Sequence, residues 1–507
     1  MHAPVLTASF AFGSHLRAVD FALVLIYLLG ITLFGLRFRK SGERSVKSYF
    51  LADRNIPWWA IALSIVAAET STLTIISVPG LAFTGDFGFL QIALGYLAGR
   101  VMICILFLPR YFRGELMTAY QLIGERFGRK LHRLTALLFL IMRAAAEGVR
   151  VFAVAIVVGV ALGTGDIASI AILSALTLLY TFEGGMAAVI WTDVVQMIVY
   201  VLGSAVALFS VCSKIPGGWH GMIAGASAVG KLTVFHFTWS VSQTYTFWAG
   251  LIGGCFLTMA RHGTDQLMVQ RLLAARNLRE SRAALLTSGL VVFFQFTLFL
   301  FIGAGLYVHY AHAGTLPQSM SADKIFPAYI VNEMPVGISG LMIAAILAAA
   351  MSNLSAALNS LASTSVIDFY LPQNPNATEK KKTRLSRLLT LAWALVLFGL
   401  AMLSRGSGHV LEIGLSIASV LWGAMLGVFL LGTMTKRASE AGTIVGMIAG
   451  CIVNLLLWLQ PHALTFTIFG SNFIAPKIAW TWYVTIGSLT TFAVGYLASL
   501  IVDRSSI

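Results

Sequence analysis

The sequence predicts an all-α integral membrane protein with thirteen transmembrane helices. Its mean hydropathy is +0.85, and charged residues make up only 11% of its 507 residues, whereas soluble domains carry about 25%. The apolar stretches are long and do not alternate with polar residues, which favours helices over a β-barrel. This composition excludes a soluble fold and a disordered chain. The four cysteines are far apart and indicate neither a redox site nor a zinc site.

Thirteen stretches of about 20 apolar residues are predicted to cross the bilayer, because a helix of that length spans its hydrocarbon core. The first stretch is not a cleaved signal peptide, since it is too long and Arg37, Arg39 and Lys40 follow it in place of a small-residue cleavage site. The predicted spans are residues 19–36, 58–81, 89–109, 134–162, 167–182, 187–212, 241–260, 284–310, 336–364, 388–403, 410–434, 441–459 and 479–501.

The basic residues predict the orientation of these spans. With the N-terminus outside, the cytoplasmic segments contain 25 lysines and arginines, and the outer segments contain 6, which is the bias that cytoplasmic loops carry. Orientation and contact with the lipid bilayer therefore explain the net charge of +14, and no nucleic acid partner is expected. We expect a multi-pass protein of the cell membrane with its C-terminus in the cytoplasm.

The second span carries a polar cluster at its centre. Residues 67–72 have the sequence AAETST, and Thr74, Ser77, Pro79 and Gly80 follow. One interpretation is a broken helix whose freed carbonyl groups bind a cation. The other is a helix rich in serine and threonine that packs within the bundle.

The ninth span presents hydroxyl and amide side chains at intervals of three and four residues. Small polar residues on one helix face allow close packing, and their oxygen atoms also suit a dehydrated sodium ion. Spacing alone leaves packing and ion binding equally open. The residues are Ser352, Asn353, Ser355, Asn359, Ser360 and Ser363.

Charged residues lie within three other spans. Arg100 is in the third span and Asp193 in the sixth, while Arg143, Glu147 and Arg150 share one face of the fourth. In one interpretation the three arginines compensate the three intramembrane carboxylates, which are Glu69 in the second span, Glu147 and Asp193. In the other, an arginine is left to bind the carboxylate of a substrate.

Motifs of membrane enzymes and of ATP-driven pumps are missing. The ten histidines lie in loops or at the ends of spans without the acidic partners of a catalytic site, and no Walker sequence occurs. We therefore expect a protein that is not an enzyme.

The chain resembles the solute:sodium symporter family over nearly its whole length. Any one of the matching segments is a weak signal, but together they are specific. They are YFLA at 49–52, IPWW at 56–59, YTFEGGMAA at 180–188, VIWTDVVQ at 189–196, GTDQ at 263–266, VQR at 269–271, AA at 274–275, AMSNLS at 350–355 and ALNS at 357–360.

The resemblance implies a LeuT-type fold with two inverted repeats of five helices each. Residues 1–57 would then hold an outer tail, the first span and a cytoplasmic loop. The transport core would occupy residues 58–435, with its repeats at 58–212 and 241–435. Residues 436–507 would add two accessory spans.

The resemblance also implies a main sodium site. Its ligands would be backbone oxygens of Ala67, Thr70 and Ala349, together with Ser352 and Asn353. Asn353 stands where relatives usually have serine, and its amide oxygen can also coordinate a cation.

A second sodium site occurs in some members of the family. Its ligands here would be Asp193, Ser352 and Ser355, and Ala356 stands in the place of the fourth ligand.

The family's sugar carriers have polar residues that this chain lacks, since Ala93 and Thr258 occupy the corresponding positions. The intramembrane arginines favour an organic anion instead, such as a monocarboxylate or a sialic acid-like acid. The candidate substrate residues are Ser71, Thr74, Gln91, Arg100, Arg143 and Trp248.

The predicted function is sodium-coupled secondary active symport of a small organic solute by alternating access. Sodium ions, the solute and the lipid bilayer are the expected partners, and the protein is expected to be monomeric. Two alternatives stay open: a sodium-coupled carrier of a neutral sugar or amino acid, and a transporter-like membrane sensor or receptor that does not transport.

Overall fold

Helices form nearly all of the regular structure in the computed structural model. A short antiparallel hairpin of β1 (Leu464–Ile468) and β2 (Ser471–Ala475) is the exception in the described part of the chain. The all-α prediction is therefore confirmed apart from this hairpin, and the predicted outer tail, residues 1–16, lies outside the described residues. The structure describes residues 17–38, 45–114, 116–162, 166–317, 322–403, 408–460, 464–468 and 471–504.

Nineteen α-helices occur within these residues. They are α1 (Ala18–Leu36), α2 (Val46–Leu51), α3 (Trp58–Glu69), α4 (Thr72–Thr84), α5 (Leu90–Leu106), α6 (Leu108–Tyr111), α7 (Ala119–Phe127), α8 (Arg129–Leu162), α9 (Asp166–Ser213), α10 (Gly218–Ala228), α11 (Gly254–Gly263), α12 (Gln266–Leu273), α13 (Leu278–His312), α14 (Ala322–Asn332), α15 (Ile338–Thr364), α16 (Glu379–Leu403), α17 (Gly408–Met434), α18 (Glu440–Leu459) and α19 (Tyr483–Arg504).

Many of these helices have the length and composition of membrane spans. Among the described residues, eight helical segments are long and apolar enough to cross a bilayer, and the bent pair α3–α4 makes a ninth. Two shorter apolar helices, Ile167–Leu179 and Leu421–Met434, fall within other predicted spans. A polytopic helical membrane protein is thus confirmed, whereas the count of thirteen spans stays a prediction.

The second predicted span is a broken helix, as the sequence suggested. Helix α3 ends at Glu69, Thr70 has extended backbone angles of φ −82° and ψ 106°, and α4 begins at Thr72. Ser71 caps α4, because its hydroxyl oxygen accepts a hydrogen bond from the Thr74 amide at 3.3 Å. The break frees backbone carbonyl groups in the middle of the bundle.

The fifth and sixth predicted spans are joined in α9 and separated by a sharp break at Gly185. Gly185 has φ 61° and ψ −151°, a conformation open to glycine. A Cβ atom at this position would lie 2.5 Å from the Tyr49 carbonyl oxygen. The close approach of α2 to this turn therefore requires glycine, and a kink in α9 takes the place of a loop between the two predicted spans.

The seventh predicted span, 241–260, differs most from the structure. The helix begins only at Ala249, with a π-helical turn that continues into α11, and α12 follows after a break at Thr264 and Asp265. The sequence assigned α12 to a cytoplasmic loop, but every one of its residues is buried. The segment is therefore a buried helix and not an exposed loop, because its polar residues are matched by buried polar partners, which hydropathy does not reveal.

Helix α15 lies at the centre of the bundle. Nearly all of its residues are buried, and it packs against α1, α3, α8, α9 and α16. Its hydroxyl-bearing face meets the broken helix α3–α4 and the second half of α9. The helix thereby places Ser352 and Asn353 beside the freed carbonyl groups.

Candidate functional site

The break between α3 and α4 is joined to α15 by one side-chain amide. The Asn353 amide nitrogen donates to the carbonyl oxygens of Thr70 and Ala349, at 3.0 Å each. Ser352 is the neighbouring residue on α15, and Ala67 lies one turn before Thr70 on α3. All five predicted ligands of the main sodium site are buried and belong to the two elements that meet here.

The Thr70 side chain is held by a residue that the sequence analysis did not identify. Its hydroxyl group and the Gln295 amide are within hydrogen-bond distance, with Gln295 donating at 2.8 Å. Gln295 is a lone amide in the apolar stretch of α13 and is only 3% exposed. Its isolation in an apolar span was the signal that could have identified it.

Asp193 is the centre of a second buried polar cluster. One carboxylate oxygen accepts from the Ser352 hydroxyl at 2.7 Å. The other accepts from the Ser64 hydroxyl at 2.5 Å and from the Arg271 guanidinium at 2.8 Å. The predicted ligands Asp193 and Ser352 are therefore brought together, while the Ser355 hydroxyl donates to the backbone oxygen of Ser352 at 3.0 Å.

The Arg271 side chain supplies the cation of this cluster. It is 1% exposed, and its Nε also donates to Ser64 at 2.8 Å. The sequence placed Arg271 in a cytoplasmic segment and balanced the three intramembrane carboxylates, Asp193 among them, by the three arginines of the third and fourth spans. For Asp193 this balance is wrong, because the break before α12 brings Arg271 against its carboxylate.

Glu69 and Arg100 form an ion pair next to the helix break. Both side chains are almost fully buried, and the Arg100 Nε also donates to Ser288 at 3.3 Å. The His262 ring lies 3.3 Å from the same Glu69 carboxylate. The Arg261 guanidinium donates to the Glu69 backbone oxygen at 3.2 Å, so two consecutive residues of α11 contact the end of α3.

The charged residues of α8 share one face, as predicted. The Glu147 carboxylate lies 3.2 Å from the Arg150 guanidinium and 3.9 Å from that of Arg143. Arg143 also makes a short ion pair with Asp265, which the sequence analysis had placed in a loop. Asp265 sits in the break between α11 and α12, where its other oxygen caps α12 through the Leu267 amide at 3.0 Å.

Two cavities adjoin these charged groups. The smaller, of about 50 Å³, lies against the helix break and is lined by residues that include Ser71, Glu147, Arg150 and Asn353. The larger, of about 240 Å³, lies on the other side of Arg150. Its lining residues are Tyr96, Met142, Arg143, Ala146, Arg150, Leu257, Arg261, Trp422, Trp480 and Val484.

The candidate substrate residues do not all reach these cavities. Ser71 lines the smaller cavity and Arg143 the larger, while Thr74 hydrogen-bonds to Ser71. The Arg100 side chain is fully buried beside Glu69, which favours charge compensation.

Gln91 lies at the start of α5, and Trp248 precedes the π-helical turn that leads into α11. The Gln91 amide donates to the carbonyl groups of Gly88 and Tyr245, at 3.1 and 3.3 Å, and accepts from the His236 amide at 2.9 Å. Trp248 is 37% exposed and packs edge-on against Trp239 and Phe247. Gln91 thus fixes the loop before α11.

The arrangement suits a hard monovalent cation and an anion. Backbone carbonyl, hydroxyl and amide oxygens are the ligands that such cations prefer, and the described residues contain no group of three histidine, cysteine or acidic side chains that could hold a metal ion. The arginines beside the larger cavity provide donors for carboxylates.

Comparison with known proteins identifies the family. The sequence profile of the sodium:solute symporter family matches residues 49–450. The sodium/sialic acid symporter NanT of Aliivibrio fischeri is 26% identical over 488 residues, which cover 95% of this chain and 93% of NanT. The sodium-dependent multivitamin transporter of Oryctolagus cuniculus is 29% identical over 464 residues, covering 89% and 70% of the two chains.

A solved structure shows the same fold. It is a Na⁺-coupled sialic acid symporter in a substrate-bound, outward-open state, with a TM-score of 0.84 at 26% identity, covering 96% of this chain and 98% of that one. The predictions of a transporter rather than an enzyme, and of sodium as the coupling ion, are confirmed. The chain belongs to the sodium:solute symporter family and is a sodium-coupled symporter of the cell's membranes.

Proposed function

We propose that this symporter imports a small organic anion together with sodium by alternating access. The observation that carries the proposal is an excess of positive charge in the buried and half-buried cluster beside the larger cavity. Four arginines face three carboxylates in the described residues, which leaves one positive charge. The groups are Arg100, Arg143, Arg150 and Arg261 on one side, and Glu69, Glu147 and Asp265 on the other.

An unbalanced charge in the interior is costly, and its usual reason in a membrane protein is function. The carboxylate of a bound solute would balance it. Relatives that this chain matches over nearly their whole length carry sialic acid, which is an organic acid, and this supports the same class of solute here. A neutral sugar or amino acid would leave the charge in place.

We place the main sodium site at the break between α3 and α4. The carbonyl oxygens of Thr70 and Ala349 converge on one point, since one amide nitrogen reaches both at 3.0 Å. Rotation of the Asn353 amide would turn its oxygen toward the same point. With Ala67 and Ser352, this gives a set of oxygen ligands that suits dehydrated sodium.

A second sodium at Asp193, Ser352 and Ser355 is less favoured. The Arg271 guanidinium already pairs with the Asp193 carboxylate at 2.8 Å. A sodium ion would have to displace that arginine, so we propose one sodium per transport cycle.

The proposed architecture is the LeuT-type fold with thirteen spans in a monomer. The inverted repeats would be residues 58–212 and 241–435, each beginning with a broken helix, and residues 436–507 would add two accessory spans. The breaks at residues 70–71 and 264–265 support this division. The distribution of basic residues supports an outer N-terminus and a cytoplasmic C-terminus.

The test is uptake by proteoliposomes with an inward sodium gradient. Labelled N-acetylneuraminate, pyruvate, glucose and proline are compared in sodium and in potassium buffer, with protein-free vesicles as control. We expect sodium-dependent accumulation of at least one acid and of neither neutral solute. Accumulation of glucose or proline alone would refute the proposal that the solute is an organic anion. Uptake of an acid at the same rate in potassium buffer would refute sodium coupling.

A further inference from the structure

The larger cavity is lined by hydrogen-bond donors. Arg143, Arg150 and Arg261 contribute guanidinium groups, and Trp422 and Trp480 contribute indole N–H groups. Arginine and tryptophan side chains donate but do not accept hydrogen bonds. The sixth polar lining residue is the Tyr96 phenol, and the remaining lining side chains are apolar.

Several of these donors lack partners within the described residues. The Nε atoms of Arg143 and Arg150 and the Nε1 atom of Trp422 are buried and have no hydrogen-bond partner there. Buried donors without acceptors cost free energy of about 1–3 kcal/mol each. A ligand that presents acceptor atoms to this wall would recover that cost.

Arg261 is the arginine whose charge is not balanced locally. Arg143 pairs with Asp265, and Arg150 pairs with Glu147. Arg261 has no carboxylate within 4 Å among the described residues, and its recorded contact is with the Glu69 backbone oxygen at 3.2 Å. Of the three guanidinium groups on the cavity wall, it is therefore the one available to a ligand carboxylate.

We propose that Arg261 binds the substrate carboxylate and that the substrate is a flat monocarboxylate with few hydroxyl groups. This inference rests on the proposed symport of an organic anion and adds the substrate class. The hydroxyl groups of a polyhydroxylated acid also need acceptors for their hydrogens, and among the side chains of the cavity only the Tyr96 oxygen is a strong acceptor. A flat body instead has the indole rings of Trp422 and Trp480 and the apolar side chains of the wall to pack against.

The size of the cavity agrees with a small ligand. Its volume of about 240 Å³ is slightly below the range of about 300–1,000 Å³ for drug-sized ligands. One carboxylate balances the one positive charge in excess, so a monoanion fits the charge as well. A dicarboxylate would leave a net negative charge in the bundle.

The test compares matched ligands on the purified full-length protein. Thermal stability is measured in sodium and in potassium with benzoate and nicotinate, with their neutral amides benzamide and nicotinamide, and with the polyhydroxylated acids gluconate and N-acetylneuraminate. We expect benzoate or nicotinate to stabilise the protein in sodium. The amides and the polyhydroxylated acids should need at least roughly tenfold higher concentrations, the ratio for the loss of one charge-assisted hydrogen bond.

Variants of Arg261 distinguish a loss of carboxylate binding from a loss of folding. Arg261→Lys and Arg261→Gln should weaken nicotinate or benzoate binding by roughly tenfold or more, since a lysine cannot reproduce the bidentate fork. Stabilisation by sodium alone should persist in both variants and shows that they are folded. The matched control is Arg276→Gln, which removes an arginine that is about half exposed and should leave binding unchanged.

Three outcomes would overturn the inference while leaving sodium-coupled anion symport in place. These are tighter binding of a polyhydroxylated acid, equal binding of an acid and its amide, and normal acid binding by Arg261→Gln. Absence of any ligand effect up to saturating concentration, in protein that sodium does stabilise, would also overturn it. Lack of sodium stabilisation together with uptake of neutral solutes alone would instead refute the proposed function.

Discussion

Asn353 is the residue at which the structure is most informative about sodium. Its amide nitrogen bridges the carbonyl oxygens of Thr70 and Ala349, two of the proposed cation ligands. A carboxamide has a donor end and an acceptor end. In this state the donor end of the amide is hydrogen-bonded to the two carbonyl oxygens. Rotation of the amide by half a turn would bring its own oxygen beside them, so that three oxygen atoms could bind a cation.

Substitutions on α15 test this site. Ser352→Ala should raise the sodium concentration for half-maximal uptake by roughly tenfold, since one oxygen ligand is lost. The free energy of unfolding should fall by about 1.5–3 kcal/mol, because the same hydroxyl donates to the Asp193 carboxylate. Asn353→Ser should keep sodium-dependent transport, because a hydroxyl oxygen can replace the amide oxygen. Sodium titrations of uptake measure both effects.

The matched control for this prediction is Ser363→Ala. Ser363 is another buried hydroxyl on α15, which donates to the Ser360 backbone oxygen at 2.9 Å. Its loss should leave the sodium titration unchanged. An unaltered titration in Ser352→Ala would mean that the polar face of α15 serves packing alone.

Arg271 shows what could not be predicted from the sequence at the level of residues. The shared face of Arg143, Glu147 and Arg150 follows from helical periodicity and was predicted. The pairing of Arg271 with Asp193 joins positions 78 residues apart, and no local pattern specifies it. Hydropathy assigns such a residue to a loop, because a hydropathy average contains no information about a carboxylate on another helix that could pair with it.

At the scale of elements, the two broken helices were predicted unequally. The α3–α4 break was predictable because Glu69 and hydroxyl residues interrupt an apolar span, whereas Pro79 and Gly80 lie within the helix α4. The α11–α12 break was not, because Thr264 and Asp265 fall among polar residues typical of a surface loop. Its burial depends on tertiary partners, such as the Gln270 amide that donates to the Phe50 carbonyl oxygen at 2.8 Å.

Helix α4 ends on a buried lysine from the loop after α10. The Lys231 amine donates to the carbonyl oxygens of Ala82, Phe83 and Gly85 at 3.2, 2.6 and 3.0 Å. These are carbonyl groups at the C-terminal end of a helix, where a cation is stabilising. Lys231 thus ties the loop to the end of the helix whose beginning lies at the proposed sodium site.

We expect Lys231→Met to loosen this end of α4. The side chain keeps its length but loses the charge and the hydrogen bonds, which should cost about 1–3 kcal/mol of stability. Hydrogen exchange of the amides at residues 82–86 should accelerate, and the maximal uptake rate should fall while the sodium titration is unchanged. The control is Lys214→Met, which removes a partly exposed amine near Glu333. Equal amide exchange at residues 82–86 in both variants would show that the Lys231 hydrogen bonds do not stabilise this end of α4.

At the scale of the whole molecule, the charged groups connect the two proposed binding sites. Arg150 lines both cavities, and Arg261 contacts the backbone of Glu69, the residue before the proposed sodium ligand Thr70. A carboxylate bound at Arg261 would therefore act on the end of α3. Sodium and substrate would each favour the same conformation, which makes their binding mutually reinforcing.

The orientation of the molecule is testable by labelling of introduced cysteines. In a variant without the four native cysteines, Thr378→Cys and Ser439→Cys should be blocked only by membrane-permeant thiol reagents, because both lie in segments predicted to be cytoplasmic. Thr315→Cys, in an exposed segment predicted to be outside, should react with an impermeant reagent in intact cells. Reaction of all three positions with the impermeant reagent would contradict the predicted span count.

The charge carried in each cycle tests the sodium stoichiometry. One sodium and one monoanion carry no net charge, and Arg271 at Asp193 disfavours a second sodium. Uptake should therefore respond to the sodium gradient but not to an interior-negative potential imposed on proteoliposomes with valinomycin and potassium. A second sodium would move one net charge inward, and the potential would supply about 2.3 kcal/mol per 100 mV, or a roughly fiftyfold greater accumulation. Such a stimulation would show that Asp193 exchanges its arginine for sodium during transport.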